Sequence, residues 1–488
     1  MITYLLPVSD SQADSYLNEG YELVGGYGVE ASEGRKVATP AGLIDLCSLR
    51  FPGTPFADDQ PIHYLEVPAD PFVQTRVAAG PLTEGAFQGG VVDYAPFDGS
   101  GVAKAEGVET PLLLMDPTRI PIGSKLFRLA ADGERTLLGV YHGIAWGWEN
   151  VETGTFKAGV PSQFIGAVVT REWGSVPADV EVNDAGKPVS VTLVSPSEPE
   201  GEAGFEELES GMWAKRIAYE DDLDVHTDLI MGKLSGVPVR AIRGVITPEG
   251  GFAFQVVSLL TDAPYCEGAS FQRATTGWFA AVAEIDAIEN QMRQQARPDG
   301  WDMSSRPAVT VTEPNPVDLD SEETLLQSAT ALIVATAPPT WQEEWVRAQL
   351  VGASTIWDGM ALLEDERGAR LRVVPTAALL YMRRLKELYA KAGKAAFLQI
   401  VIQVKNDGNA NLNLNATAEP EFADQVDSRE WINELAAFTH GDEVLQWMLP
   451  RAGAEKLEDL ELPSLTPQQL RSTDLAAGIV RGEEKTEK

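Results

Sequence analysis

The chain has 488 residues and carries 73 acidic against 38 basic side chains, a formal net charge of -35. With 44% hydrophobic and 23% charged residues the composition is globular, and the length implies about three domains, each able to bury a core. So negative a field disfavours nucleic acid and anionic lipid, which need a basic surface, and it draws in basic proteins.

The same charge also suits solubility or a salty habitat, because net charge speaks to association and not to fold. Only Cys47 and Cys266 are present, which excludes a disulfide framework and any CxxC zinc site. Both are expected to be buried small hydrophobes in a reducing, cytoplasmic compartment. The opening MITYLLPVSD reads as a first strand and not as a signal peptide. No stretch approaches the roughly 18 apolar residues of a membrane span, residues 325–337 coming nearest.

Residues 1–175 are rich in Gly, Pro and aromatics and predict a sheet-rich α+β domain. Short helices are expected at 11–18 and 40–47, the second capped by Thr39 with Pro40 in its first turn. Residues 62–67 and 125–129 read as strands, and Asp132-Gly133 marks a hairpin. Gly25-Gly26-Tyr27-Gly28 lacks the strand–GxGxxG–helix setting of a dinucleotide site and reads as a tight turn.

A second α+β domain is expected over 180–300. Its acidic segment 195–210 reads as a loop or linker, and 237–246 with 252–260 form a hairpin around Pro248-Glu249-Gly250-Gly251. After Trp278-Phe279, the spacing of Val282, Ile285, Ile288 and Met292 predicts a helix with one apolar stripe. The proline-rich segment 297–323 is the clearest linker, and 456–488 is an acidic tail expected to be flexible.

The third domain, 324–455, is the most readable. A helix opens at Ser321 and ends at Pro338-Pro339. Strands follow at 355–363 and 369–374 around Glu366-Arg367-Gly368. A helix then starts at Pro375, with Leu379, Met382, Leu385 and Leu388 on one face and Gly393 closing it. Residues 397–404 and 411–415 form a hairpin across Asp407-Gly408, with Leu412 and Leu414 facing the core. A last helix covers 428–438. The whole reads as α+β, several antiparallel sheet-plus-helix domains in tandem.

The run from Pro338 to Trp341, the hairpin, the long amphipathic helix and the strand–DG–strand unit together resemble the YezG-type immunity proteins. The alternating NLNLN strand, REWINELAAF and the Trp447-Met448-Leu449-Pro450 end are compatible. The resemblance covers about 130 residues. It implies a small intracellular domain that neutralises a bacterial toxin by binding it. The family places an aromatic-acidic cluster after its last strand; here Asn415-Ala416-Thr417-Ala418 stands instead, which bears on the partner contact and not on the fold. GVPVRAIRGV, the hairpin after it and TGWFAAVAEIDAI resemble a module of actinobacterial immunity-type proteins.

Chemistry is thinly supplied. There are four histidines, and no GxSxG, HExxH, GxxxxGK[ST] or EF-hand loop. In an extended strand Asp222, Asp224, His226 and Asp228 would share one face and could hold a divalent cation; the competing reading is a solvated face with Leu223 and Val225 inward. Tyr141, His142 and Trp146, with Arg50, could line a ligand groove, or the aromatics could simply pack a sheet. The segment around Arg50, Gly53, Thr54 and Pro55 is similar to NAD-consuming toxin domains, which implies dinucleotide-holding parts for Arg50, Arg76 and Gln88.

The expectation is therefore a non-catalytic, immunity-like binding protein that needs no cofactor and takes a protein partner, such as a basic secreted toxin, with no nucleic acid and no membrane. Trp341, Trp345 and Trp357 are its candidate anchors, since aromatics dominate binding hot spots, with core packing as their competing role. The alternatives are an NAD-handling enzyme and a structural scaffold.

Overall fold

A computed structural model of the chain describes residues 2–51, 53–78, 101–200, 202–220, 222–248, 250–275, 277–298, 300–301, 320–338, 340–371, 374–467, 470 and 479–481. It is α+β, built on antiparallel sheets. Its contacts define two compact units. The first comprises Met1–Ala78, Pro96–Thr261 and Ser270–Glu313; the second comprises Ala79–Ala95, Asp262–Ala269 and Pro314–Lys488.

The expected division at 175–180 falls inside a strand, Gly174–Val182, so the chain does not divide there: apart from residues 79–95 and 262–269, the first two predicted domains belong to one unit. Two large sheets and the small hairpin Val102–Ala105 with Val108–Pro111 make it up. In the first, Thr3–Val8 lies between Leu23–Glu30 and Ile62–Pro68. The helix Asp10–Glu19 starts at a Ser9–Gln12 capping box and lays Ala13 and Tyr16 on this sheet. Tyr16 donates to the Leu23 carbonyl and packs on Trp148, whose indole donates to the Tyr21 carbonyl, so these buried aromatics keep hydrogen-bond partners. Thr39 caps Pro40–Leu46 as expected, accepting from Gly42 N–H. The Asp132-Gly133 hairpin also forms, joining Lys125–Leu129 to Arg135–Tyr141.

Residues 25–28 are not a turn. They lie within the strand Leu23–Glu30, where the glycines admit close neighbours: a Cβ at Gly28 would stand 2.5 Å from the Leu5 carbonyl oxygen.

The second sheet of this unit runs through Pro188–Ser195, Gly174–Val182, Val168–Arg171, Val225–Leu234, Val237–Ile246 and Phe252–Ser258. The acidic segment 195–210 joins two strands that pair with each other, and it is not all loop: Glu206–Glu207 forms a short edge strand on Trp213–Ala218. The helix expected after Trp278 does not form. Trp278–Ala283 pairs with Phe252–Ser258, and Glu289–Ala296 pairs with Val225–Leu234, with one 3-10 turn between them. The proposed stripe is broken, since Val282 is 63% and Met292 52% exposed while Ile288 is buried. Strand edges that need backbone partners overrode a local period of three to four.

The second unit sandwiches one sheet between helices. Among the described residues the strand order is Gly368–Arg370, Ser354–Leu363, Trp341–Val351, Gln399–Lys405 and Ala410–Asn415. The central strand, Trp341–Val351, is absent from the sequence reading. Helices Glu322–Ala335 and Thr376–Lys391 cover one face through Leu325, Leu332, Leu379, Met382 and Leu385, against Val346, Ala348, Ile400 and Ile402. The helix Glu322–Ala335 is capped by Ser321, whose hydroxyl accepts from Thr324 N–H at the place where the sequence opens the helix. Pro375 supplies no side-chain cap, and Asp262 replaces it, accepting from both the N–H and the hydroxyl of Thr376 at 2.7 Å. Helices Ser428–Ala437 and Asp442–Arg451 cover one end of the other face around Val351, Ile356 and Trp431.

Two further expectations are corrected here. Leu412 lies on the edge strand and is exposed, whereas Leu414 packs on the core as expected, because the helices do not reach past the edge. The tail is not wholly free: Leu470 packs with Ala396 and Phe438, and Ile479–Arg481 pairs with Ser354–Leu363, the parallel partner in the sheet. Of the 297–323 linker, Arg297 pairs with Asp224 and Trp301 packs on Phe72, while residues 302–319 and the tail end 482–488 lie outside the described residues, as does Pro339.

A buried polar network pins the Val351–Ser354 turn. Lys386 Nζ donates to Glu434 Oε1 at 2.6 Å and to the Leu350 carbonyl at 2.7 Å, while Glu434 Oε2 accepts from Gly352 N–H. Arg383 donates to the Ala353 and Ser354 carbonyls and to the Thr355 hydroxyl. Gly352 is left-handed, and a Cβ there would stand 2.4 Å from the Glu430 carbonyl oxygen. Burial works against the Glu434 carboxylate, but Lys386 and His440 outweigh it and hold the group at about 2. Burial pushes Lys386 down to about 8, which leaves it an ammonium at neutral pH.

Replacing Lys386→Met leaves Glu434 buried without its counter-charge, and should cost about 3–5 kcal/mol in a urea unfolding measurement. The pH dependence follows from the depressed folded value of Glu434. Its stabilisation is complete above 4.5 and is lost as pH falls towards about 2. Unfolding midpoints across that window should therefore fall more steeply for the native chain than for Glu434→Gln.

Candidate functional site

Two Val-Pro-Ala-Asp tetrapeptides, residues 67–70 and 176–179, stand far apart in the sequence. The first ends the strand Ile62–Pro68 and the second lies within Gly174–Val182, one in each sheet of the first unit. Their aspartates, Asp70 and Asp179, line the same cleft of about 450 Å³. Phe72, Trp301, Ile122 and Val180 add an apolar wall, and Phe72 and Trp301 meet edge to face at 5.8 Å.

Arg119, the last residue of the strand Leu113–Arg119, also lines the cleft, and four of its five N–H donors are occupied. Its Nε donates to Glu22 at 3.2 Å, Nη1 to the Ala167 and Ala178 carbonyls, and Nη2 to the Ser162 carbonyl. Glu22 in turn accepts from Ser162 N–H, and the Ser162 hydroxyl donates to the Ile242 carbonyl. Burial pushes the Glu22 carboxyl up against the pull of Arg119. Gly166 is left-handed beside this arginine, and a Cβ there would stand 2.6 Å from the Arg119 Cβ.

Asp179 Oδ2 accepts from Ile144 N–H at 2.9 Å. The neighbouring Gly143 is needed for this approach, since its Cβ would stand 2.3 Å from that oxygen. Burial pushes the Asp179 carboxyl up to about 6; Arg119 and the Ile144 N–H oppose the shift, and Glu22 and Asp70 add to it. A carboxyl raised by burial inside a cleft is a mark of a functional site. The sequence reading missed these residues, and the repeated tetrapeptide was the signal available.

The expected metal face is not assembled. Asp222 sits in the turn before the strand, which begins at Val225. His226 is wholly buried, bridging Asp224 at 3.4 Å and Asp228 at 3.1 Å, and Asp224 is drawn off by Arg297 at 2.7 Å. Among the described residues no group of three His, Cys, Asp or Glu is placed to hold a metal ion.

The expected groove residues separate. Tyr141 is buried against Trp148, while His142 and Trp146 meet the exposed ring of Phe156 at 5.3 and 5.9 Å. His142 also lies 2.8 Å from Glu149. Arg50 is held by Asp45 and Asp58, and Arg76 by Asp116; Gln88 lies outside the described residues.

The three tryptophans of the second unit divide likewise. Trp357 is only 6% exposed, in the core, and Trp341 packs on that core. Trp345 is half-buried on the opposite face of the sheet, directly across from Met360 and Gln403. On that face Met360 and Leu362 are 42% and 40% exposed, beyond the end covered by the last two helices. Arg347, next on this face, is tied to Asp358 at 2.8 Å and to Glu421.

No helix among the described residues is long and apolar enough to cross a membrane. Comparison with family models and with curated proteins finds no match to this chain.

Proposed function

We propose that the chain is a non-catalytic binding protein that captures a basic protein partner, in the manner of an immunity protein neutralising a toxin. The observation that carries this reading is the open face of the second unit's sheet, where Trp345, Met360 and Leu362 form an apolar strip among polar side chains. A tryptophan beside adaptable methionine and leucine is the make-up of a binding hot spot. The charge of -35 supplies long-range attraction for a basic partner and steers its approach. The NAD-handling alternative draws no support from Arg50 and Arg76, whose guanidinium groups are engaged by aspartates.

The test uses the product of the gene beside this chain's own. Expressed alone, that product should arrest growth of a host cell, and co-expression of this chain should restore it. In the purified complex Trp345→Ala should cost about 2 kcal/mol, roughly thirtyfold in Kd. The exposed variant Met360→Lys should weaken the complex through like-charge repulsion, and added salt should slow association. A harmless neighbour that does not bind, or turnover of NAD to nicotinamide by the purified chain, overturns the reading.

A further inference from the structure

We propose that the cleft between the two Val-Pro-Ala-Asp segments is a receptor for an organic cation, an ammonium or guanidinium group on an aliphatic stem. The inference rests on the reading of the chain as a receptor for a basic partner, and names the group that partner inserts.

The lining selects that chemistry. Asp70 and Asp179 approach from the two sheets, with Glu181 at the rim, so the cleft presents carboxylates and repels anions. Arg119 offsets them only in part, because Glu22 pairs with it and carbonyls take three of its other N–H donors. Glu181 is itself paired with Arg216 and Ser190, which leaves Asp179 as the inner acceptor. Asp179 Oδ2 is held by Ile144 N–H, and Oδ1 receives no hydrogen bond from the described residues.

A metal ion is a poor occupant, since it needs several ligands converging at short range and no such group is formed among the described residues. The wall of Trp301 and Phe72 suits a cation instead, because an aromatic face attracts ammonium and guanidinium groups. Ile122, Val180 and Val182 give an aliphatic stem an apolar surface to lie on. A volume of about 450 Å³ holds one side chain or a small amine.

Binding also couples to protonation. The groups acting on Asp179 are Arg119, the Ile144 N–H, Glu22 and Asp70, and together with burial they leave its carboxyl at about 6. A bound cation favours the ionised form, so affinity should fall as pH drops below about 6.

The test follows the Trp301 indole N–H resonance, assigned with Trp301→Phe, during titration of the full chain. The probes are agmatine, 1,5-diaminopentane, a capped Gly-Arg-Gly peptide and uncharged 1-pentanol. Saturable shifts are expected with the cations and none with pentanol, and affinity should be lower at pH 5 than at pH 7.5. Tighter binding of the peptide identifies a protein side chain as the occupant; tighter binding of agmatine or diaminopentane identifies a free amine. Asp179→Asn keeps an oxygen for Ile144 N–H and should weaken cation binding by about tenfold or more. If that variant does not fold, Trp301→Leu with a diaminopentane titration followed by calorimetry should show the same direction of loss. Cations that leave the Trp301 resonance unmoved, or a folded Asp179→Asn that binds them unchanged, overturn the inference. Neither result touches the growth-rescue test, so the receptor reading stands or falls separately.

Discussion

The buried ion pair between Glu22 and Arg119 organises the first unit. Each sheet of that unit closes on it: Arg119 ends a strand of one, and its guanidinium reaches the Ala167 and Ala178 carbonyls of the other. Such a pair in a low-dielectric interior is tolerable only when every donor and acceptor is satisfied. Arg119 comes close to that condition, with four of its five N–H donors and all three of its nitrogens bonded, and Glu22 accepts from the Ser162 N–H with Arg243 nearby. The geometry therefore fixes where the two sheets meet. The cleft lies at that junction, with Arg119 in its lining.

The second unit uses the same device for a different purpose. Lys386 and Glu434 hold a turn rather than a sheet junction, and with Arg383 they satisfy the backbone of residues 350–354 from two helices. Those helices occupy opposite faces of the sheet. With one face covered up to its edge strand and the other covered only at its turn end, Trp345, Met360 and Leu362 are left towards solvent. This exposed apolar strip, on a sheet that is otherwise well buried, is where the proposed partner would dock.

Legibility followed how local each signal was. The helices after Thr39 and Ser321 and the hairpins with Asp-Gly turns could be read directly, because cap and turn bonds close within a few residues; the sequence reading places the first helix at 11–18 without its Ser9 cap. The strand Trp341–Val351 was hidden. Val346, Ala348 and Leu350 do alternate with Arg347 and Gln349, but Glu344 puts a buried carboxylate on the apolar face, and the polar partners come from elsewhere: Arg347 pairs with Asp358, and Gln349 accepts from Phe422 N–H. The segment after Trp278 failed in the reverse way, since a clean helical period lost to strand pairing with residues distant in the chain.

The sequence by itself determined the fold class, the capped helices, the tight hairpins and the charge that governs what can approach. These rest on composition and on hydrogen bonds between near neighbours. Only the tertiary structure decided that the strands on either side of residues 175–180 belong to one unit, that Asp70 and Asp179 share a cleft, and that Trp357 belongs to a core while Trp345 lies on the opposite face. Each of those depends on which strands pair across long separations, and a strand's own residues state which faces are apolar but not what will cover them.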